Sequence, residues 1–210
     1  SLAKPAVVLS AVSQPKQWSL ATLVEDGPVE VTLPNGTTWS PQNFDNQSRG
    51  AMPVVDVLTY SRNQGTARLG LDVGLDKVAG TMNTLGVTRN IPLYPSILLG
   101  SLELTPFEVA MMYQPLSTGG FSTRLRSITD VLDKEAKPLA RYPVNTDEVV
   151  DAGPAFLTQW AMQQVVEKGT GRAARASLPQ DLKVAGKTGT SNDFRDAWFA
   201  GFSANHLAVV

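Results

Sequence analysis

Two lysines, two serines and a threonine-glycine-threonine run carry the chemistry open to this chain. Ser1 is followed three residues later by Lys4. A serine hydroxyl is a weak nucleophile at neutral pH and needs a partner to take its proton. A lysine one helical turn away shares its face and can reach it. That lysine becomes a base when burial or a neighbouring cation pulls its pKa down. A second Ser-x-x-Lys, Ser13-Gln14-Pro15-Lys16, shows how easily the pattern arises. Two further stretches supply proton-passing and orienting groups: Ser61-Arg62-Asn63, and Lys187-Thr188-Gly189-Thr190. A copy of the Ser-x-Asn triplet, Ser203-Ala204-Asn205, falls after the Lys-Thr-Gly run and is out of order.

A strand bearing Lys187-Thr188-Gly189-Thr190 suits the grip of an extended peptide by strand addition, with Gly189 leaving room for close approach. Thr188 and Thr190 would offer hydroxyls to a carboxylate, and Lys187 a positive charge. Backbone N–H groups at Thr190 and Ser1 are candidates for an oxyanion hole, where one donor contributes about 2.7–4 kcal/mol to the barrier. Ser61 and Lys187 would pass protons between Lys4 and a leaving group, and the Asn63 amide would orient substrate or Lys4. The constellation suits acyl transfer from a peptide that ends in a free carboxylate.

The elements that must hold these groups follow from pattern. Lys4 to Val12 is apolar nearly throughout, which predicts a helix buried on all sides, with Pro5 tolerated in its first turn and Lys4 poorly solvated. Ser13 to Lys16 then reads as a connector broken by Pro15. Residues 19–39 alternate around Gly27-Pro28 and Pro34-Asn35-Gly36 and predict a hairpin or ribbon. A loop follows over 41–50, then a short helix over 52–60 that delivers Ser61 and Asn63, with Gly65 as the next turn. Helices are expected over 66–85, punctuated by Gly70, Gly74 and Gly86. Thr105-Pro106-Phe107-Glu108 has the form of a capping box for a helix ending before Gly119-Gly120. Residues 122–131 and 138–142 predict a second hairpin. The longest amphipathic helix opens at Asp151 and ends at Gly169-Thr170-Gly171, and strands follow over 182–190, 197–203 and 206–210.

Composition narrows the function classes. The chain has 210 residues, 42% of them hydrophobic, enough for one globular domain with a real core. Its 18 basic against 19 acidic residues give no field to draw in nucleic acid or an anionic membrane. Without cysteine there is no thiolate chemistry, disulfide or cysteine-bound metal. With His206 as the single histidine, a histidine metal cluster or a Ser-His-Asp triad is improbable. A serine enzyme here should use lysine as its base.

Ser-x-x-Lys, Ser-x-Asn and Lys-Thr-Gly in that order form the signature of class A β-lactamases and penicillin-binding proteins. The chain resembles the transpeptidase domain of bifunctional class A penicillin-binding proteins, the proteobacterial 1b type in particular. Ser1 to Pro5, Pro95 to Glu108 (PSILLGSLELTPFE), Met162 to Arg172 (MQQVVEKGTGR) and Gly186 to Gly201 (GKTGTSNDFRDAWFAG) all read like that family. The resemblance implies an α+β penicillin-binding/serine β-lactamase-like fold: a five-stranded antiparallel sheet flanked by helices, with an all-helical lobe. Residues 1–210 would be a partial domain, beginning at the nucleophile and stopping before the last strand and helix. By position, Ser1 would be the acyl-forming nucleophile and Lys4 its base. Ser61, Asn63 and Lys187 would complete the catalytic set, and Thr188, Gly189 and Thr190 would bind substrate. The implied partners are peptidoglycan stem peptides (a D-Ala-D-Ala donor and an amine acceptor), with β-lactams as covalent inhibitors and no cofactor or metal. The implied setting is the periplasmic face of the bacterial inner membrane, in a membrane-anchored protein with a glycosyltransferase domain.

Three competitors share parts of this signature. A β-lactamase needs a water-activating glutamate with asparagine four residues on, and none of the seven glutamates has one. A D,D-carboxypeptidase differs only in using water as acceptor. A non-catalytic β-lactam sensor would take acylation as a signal. Elsewhere, Met111, Met112, Trp160, Met162 and Trp198 read as core, Lys134, Glu135 and Lys137 as a solvated turn, and Asp193, Arg195 and Asp196 as a surface ion cluster.

Overall fold

The computed structural model describes residues 1–179, 181–190 and 197–210, so the Asp193–Asp196 cluster lies outside the described residues. Helix α1 (Lys4–Val12) is the axis of the molecule. Every one of its residues is buried, as its all-round apolar sequence requires, and Pro5 sits in the first turn where no helical N–H is lost. Around it pack α3 (Asn63–Val73), α4 (Leu75–Thr84) and α6 (Ala152–Glu167). The Ser13–Lys16 connector is exposed apart from half-buried Gln14.

A three-stranded antiparallel sheet lies against α6. Its order is β11 (Leu207–Val209), β10 (Ala197–Phe202), β9 (Ala185–Thr190), and its register sets Lys187 opposite Ala200 and Thr190 opposite Ala197. The five-stranded sheet implied by resemblance is thus represented by three strands among the described residues, with β9 at an edge. Helix α5 (Pro106–Ser117) packs on β10 and β11. It starts where expected: the Thr105 hydroxyl accepts from the Glu108 amide at 3.2 Å, and the Thr105 amide donates to Glu108 Oε2 at 2.8 Å.

Between α1 and α3 the chain departs from the expected single ribbon. β2 (Val31–Thr32) and β3 (Thr38–Trp39) do pair around Pro34-Asn35-Gly36. But β1 (Leu23–Asp26) pairs with the later β4 (Gly50–Pro53), not across Gly27-Pro28. The reason is burial: β1 alternates exposed and buried residues, and its inward Val24 and Asp26 need the layer that β4 completes. Met52 and Pro53 therefore belong to a strand, and the short helix α2 runs from Val54 to Thr59. Gly65 is not a turn. It lies inside α3, where a Cβ would press on Val57 at 3.0 Å and the amide donates to Asp26 at 3.1 Å.

The predicted second hairpin forms only over its inner part: β5 (Phe121–Thr123) pairs with β8 (Thr146–Glu148) rather than with 138–142, and β6 (Asp130–Leu132) pairs with β7 (Pro138–Arg141) on an exposed arm. A 3-10 helix over Pro95–Leu99 and a short α7 (Arg172–Arg175) complete the set. Met112 and Met162 are core as expected, whereas Trp160 is 42% exposed on the outer face of α6.

Candidate active site

The first turn brings Ser1 and Lys4 together: the Lys4 amide donates to the Ser1 carbonyl at 3.2 Å, an i to i+3 turn. Gly100 leaves the room. It adopts a left-handed φ of 88°, and a Cβ there would lie 2.7 Å from the Ser1 nitrogen. That nitrogen donates to the Leu99 carbonyl at 2.8 Å, which fixes the start of the turn against the 3-10 segment before Gly100.

Ser61 is the hub. It sits between α2 and α3 with φ of 53°, a left-handed conformation uncommon for serine and costing of order 1–3 kcal/mol. The twist aims its carbonyl and hydroxyl at the same ammonium. Lys4 Nζ donates to Ser61 O at 2.7 Å, to Ser61 Oγ at 3.2 Å and to Asn63 Oδ1 at 2.6 Å. A neutral amine has two protons for these three acceptors and keeps a lone pair that can accept one. No hydrogen bond to the Ser1 hydroxyl is among these contacts. From the other side, Lys187 Nζ donates to Ser61 Oγ at 2.8 Å and to the Thr188 carbonyl at 3.1 Å.

Both lysines have no exposed surface. Burial pulls the Lys4 pKa well below its usual value, helped by the charges of Lys187 and Arg62 and opposed by Asp26. Burial alone brings Lys187 down to about 7. A charged ammonium in an enclosed site loses its hydration, which favours the neutral amine in each case. Two amines of lowered pKa thus meet at one hydroxyl.

What clamps the Ser61–Asn63 segment was not apparent from the motifs. Arg62, 5% exposed, turns its side chain onto the fully buried Asp26: Nε to Oδ2 is 2.8 Å. Asp26 also accepts from the Asn43 amide group, from the Arg49 backbone amide at 3.2 Å and from the Gly65 amide. Arg62 Nη1 donates to Asp45 at 2.8 Å, and this hydrogen bond is the main cause holding the Asp45 carboxyl at about 2. Asn43 Oδ1 accepts from the Asn63 amide at 2.8 Å, and Asn63 Nδ2 donates to Gln42 O at 2.7 Å. The signal available in sequence was an aspartate at an inward position of β1.

Ser1 stands on the wall between two cavities. The larger, about 860 Å³, is lined by Ser61, Asn63, Thr188, Thr190, Thr170 and Arg49, among others. The smaller, about 290 Å³, is lined mainly by apolar groups including Met82, Leu104, Val109 and Trp198. Thr190 borders both, whereas Gly189 lines only the smaller one. On the face of β9, Leu2 and Trp198 crowd Gly189, lying 3.0 and 3.1 Å from where a Cβ would sit. Lys187 has no exposed surface and meets the cleft through its hydrogen bonds to Ser61 and Thr188. Around the larger cavity Arg49 lies 5.7 Å from the centroid of the Tyr60 ring and borders the opening. Ser1, Lys4, Ser61, Asn63, Lys187, Thr188 and Thr190 are all brought to this region. The decoys are not part of either cavity lining, and His206 is exposed in the turn before β11.

A family model described as the penicillin binding protein transpeptidase domain matches residues 1–209. The chain belongs to that family. Penicillin-binding protein 1B of Vibrio cholerae is 42% identical over 211 residues, covering all of this chain and 27% of that protein. Penicillin-binding protein 1B of Escherichia coli is 42% identical over 213 residues, covering all of this chain and 25% of that protein. The chain therefore spans about a quarter of the length of these relatives. Among solved structures, penicillin-binding protein 1A of Haemophilus influenzae superposes with a TM-score of 0.90 at 23% identity, over 98% of this chain and 36% of that one. PonA1 of Mycobacterium tuberculosis in complex with penicillin V gives 0.82 at 20% identity, over 100% of this chain and 58% of that one. These likenesses establish the penicillin-binding protein fold for the chain.

Proposed function

We propose that this chain is the acyl-transfer unit of a peptidoglycan D,D-transpeptidase that works through an acyl-serine on Ser1, and that β-lactams acylate the same residue. The observation that carries the reading is the convergence of two fully buried lysines on the Ser61 hydroxyl, one turn of helix from Ser1. A neutral Lys4 accepts the Ser1 proton as the hydroxyl oxygen bonds to the carbonyl carbon of the penultimate D-alanine. The peptide C–N bond breaks, an ester forms, and the departing amine of the terminal D-alanine takes a proton through Ser61, with Lys187 behind it. In the second half, an amine of a neighbouring stem bonds to the ester carbon. Its proton passes back by the same route, and the ester C–O bond breaks to restore the Ser1 hydroxyl. A β-lactam follows the first half only, its ring amide opening onto Ser1. Asn63 holds Lys4 in place, and Thr188 and Thr190 line the cleft where the donor peptide lies. General acid–base groups so placed typically contribute 10²–10⁴-fold.

Among the described residues no helix is long and apolar enough to cross a membrane. In a protein of the relatives' length, this unit would work at the periplasmic face of the inner membrane, beside a glycosyltransferase domain and a membrane anchor.

The test is labelling with a fluorescent penicillin, read by intact mass and peptide mapping, on the protein and its Ser1→Ala variant. A stable adduct on Ser1 that disappears in the variant supports the reading. Absence of an adduct on demonstrably folded protein overturns it. Offering a D-Ala-D-Ala peptide with and without an amine acceptor then separates transpeptidase, which forms the new amide, from carboxypeptidase, which releases only the acid.

A further inference from the structure

Thr170 borders the larger cavity but belongs to none of the three motifs. Its position is dictated by the glycines on either side. A Cβ on Gly169 would collide with the Thr59 carbonyl oxygen, and one on Gly171 would press on Val165 O at 3.2 Å. Two glycines therefore let the turn after α6 lie flat against the end of α2. There the Thr170 amide donates to Thr59 O at 3.2 Å and the Gly171 amide to Val165 O at 2.9 Å. This fixes the Thr170 backbone on Thr59, two positions before Ser61, with its hydroxyl against Thr188 of β9.

Thr170 Oγ1 lies 2.8 Å from Thr188 Oγ1, and one hydroxyl must donate to the other. Lys187 decides which. Its Nζ approaches Thr188 Oγ1 at 3.4 Å as well as the Thr188 carbonyl, and an ammonium can only donate. With Lys187 charged, Thr188 accepts from the lysine and gives its own proton to Thr170. The Thr170 proton is then the free end of a chain of donors, on an exposed residue at the cleft. Hydrogen bonds in such a chain polarise one another, so the outermost donor carries part of the effect of the buried charge.

We propose that Thr170 is a substrate-binding residue whose hydroxyl donates to the free carboxylate of the peptide, relaying the charge of Lys187 that the sheet keeps from the surface. The inference rests on the acyl-serine reading above and amends it: with the single Thr188 proton given to Thr170, the hydroxyls that meet the carboxylate are those of Thr170 and Thr190.

The experiment compares acylation of Ser1 by benzylpenicillin, whose carboxylate stands for that of the terminal D-alanine, with acylation by its methyl ester. Rates are read by intact mass for the protein, Thr170→Val and Thr170→Ser. The expected result is that Thr170→Val slows the free acid about ten-fold and the ester far less, the size of one hydrogen bond to a charged group. Thr170→Ser, which keeps the hydroxyl, should retain most of the preference for the acid. Equal slowing of acid and ester in Thr170→Val would overturn the inference in favour of a structural role, as would no change in either. An unmodified protein that takes up neither compound on Ser1 would sink the acyl-serine reading itself, and this inference with it.

Discussion

A lysine sealed from water beside a serine hydroxyl has consequences that can be read in stability as well as in rate. Lys187 holds its proton in the folded state only up to about pH 7, against 10.5 when exposed. Below 7 both states are protonated and the folded one carries the full penalty of a buried charge. Between 7 and 10.5 the unfolded chain binds a proton that the folded protein does not, so stability rises with pH. The slope approaches about 1.4 kcal/mol per pH unit at most for one such group, and Lys4, shifted in the same direction, adds to it. Tyr113 works the other way. Burial pushes its pKa up from 10.0, so above that value the unfolded chain releases a proton first and stability falls. Urea unfolding at a series of pH values should therefore show stability climbing from about pH 7 and turning over near 10, and Lys187→Met should flatten the rise. A profile identical in the variant would mean that Lys187 is not the group responsible. At this scale, the residues that the fold gathers at the cleft were readable: Ser1, Lys4, Ser61, Asn63 and Lys187 could be picked out by kind, spacing and order. Asp26 and Thr170 could not, because an aspartate in a strand and a threonine after a helix look ordinary until their partners are known.

Among the elements, tight glycines mark where segments are pressed together. Gly169→Ala should cost about 1–3 kcal/mol, because the added carbon meets backbone that cannot swing away. It should also slow penicillin acylation by displacing the turn that carries Thr170. Gly80, exposed in α4 with nothing within 4 Å of a Cβ, makes the contrast: Gly80→Ala should stabilise by roughly 0.5–1 kcal/mol. Thermal or urea unfolding of the two variants checks both, and a gain for Gly169→Ala would mean the turn is not packed as described. Local signals served well where the cause of an element is local. The box at Thr105 and Glu108 announced the start of α5, and the apolar run from Lys4 announced α1. They failed where the cause is distant. Gly65 read as a turn because a helical glycine required by Val57 is indistinguishable in sequence from one required by a positive φ. The pairing of β1 with β4 needed knowledge of what Asp26 would bind, which no turn residue records.

Across the whole molecule the site is a meeting of distant segments: Lys4 reaches Ser61 across 57 positions and Lys187 reaches it across 126. The link between Asp26 and Arg62 is what ties the middle segment to the rest. Arg62→Ala leaves a buried carboxylate without its counter-charge and should cost about 3–5 kcal/mol. Replacing both partners by leucine should recover only part of that loss: it removes the unpaired charge, but the Asn43, Arg49 and Gly65 donors lose their acceptor. It should not recover acylation of Ser1, because Ser61 and Asn63 would no longer be held on Lys4. Urea unfolding alongside penicillin labelling separates the two effects, and recovery of both would assign the pair a purely stabilising role. The crowding of two lysines around one hydroxyl also makes the cleft a proton reservoir. Their mutual repulsion discourages both from being charged at once in the empty site, whereas a bound anion rewards the charged form. Anionic ligands should thus draw protons from the buffer as they enter near neutral pH, and their affinity should weaken as the medium becomes alkaline. Calorimetry in two buffers of different ionisation enthalpy would register this uptake as a difference in apparent heat, and equal heats would show that the reservoir is already full.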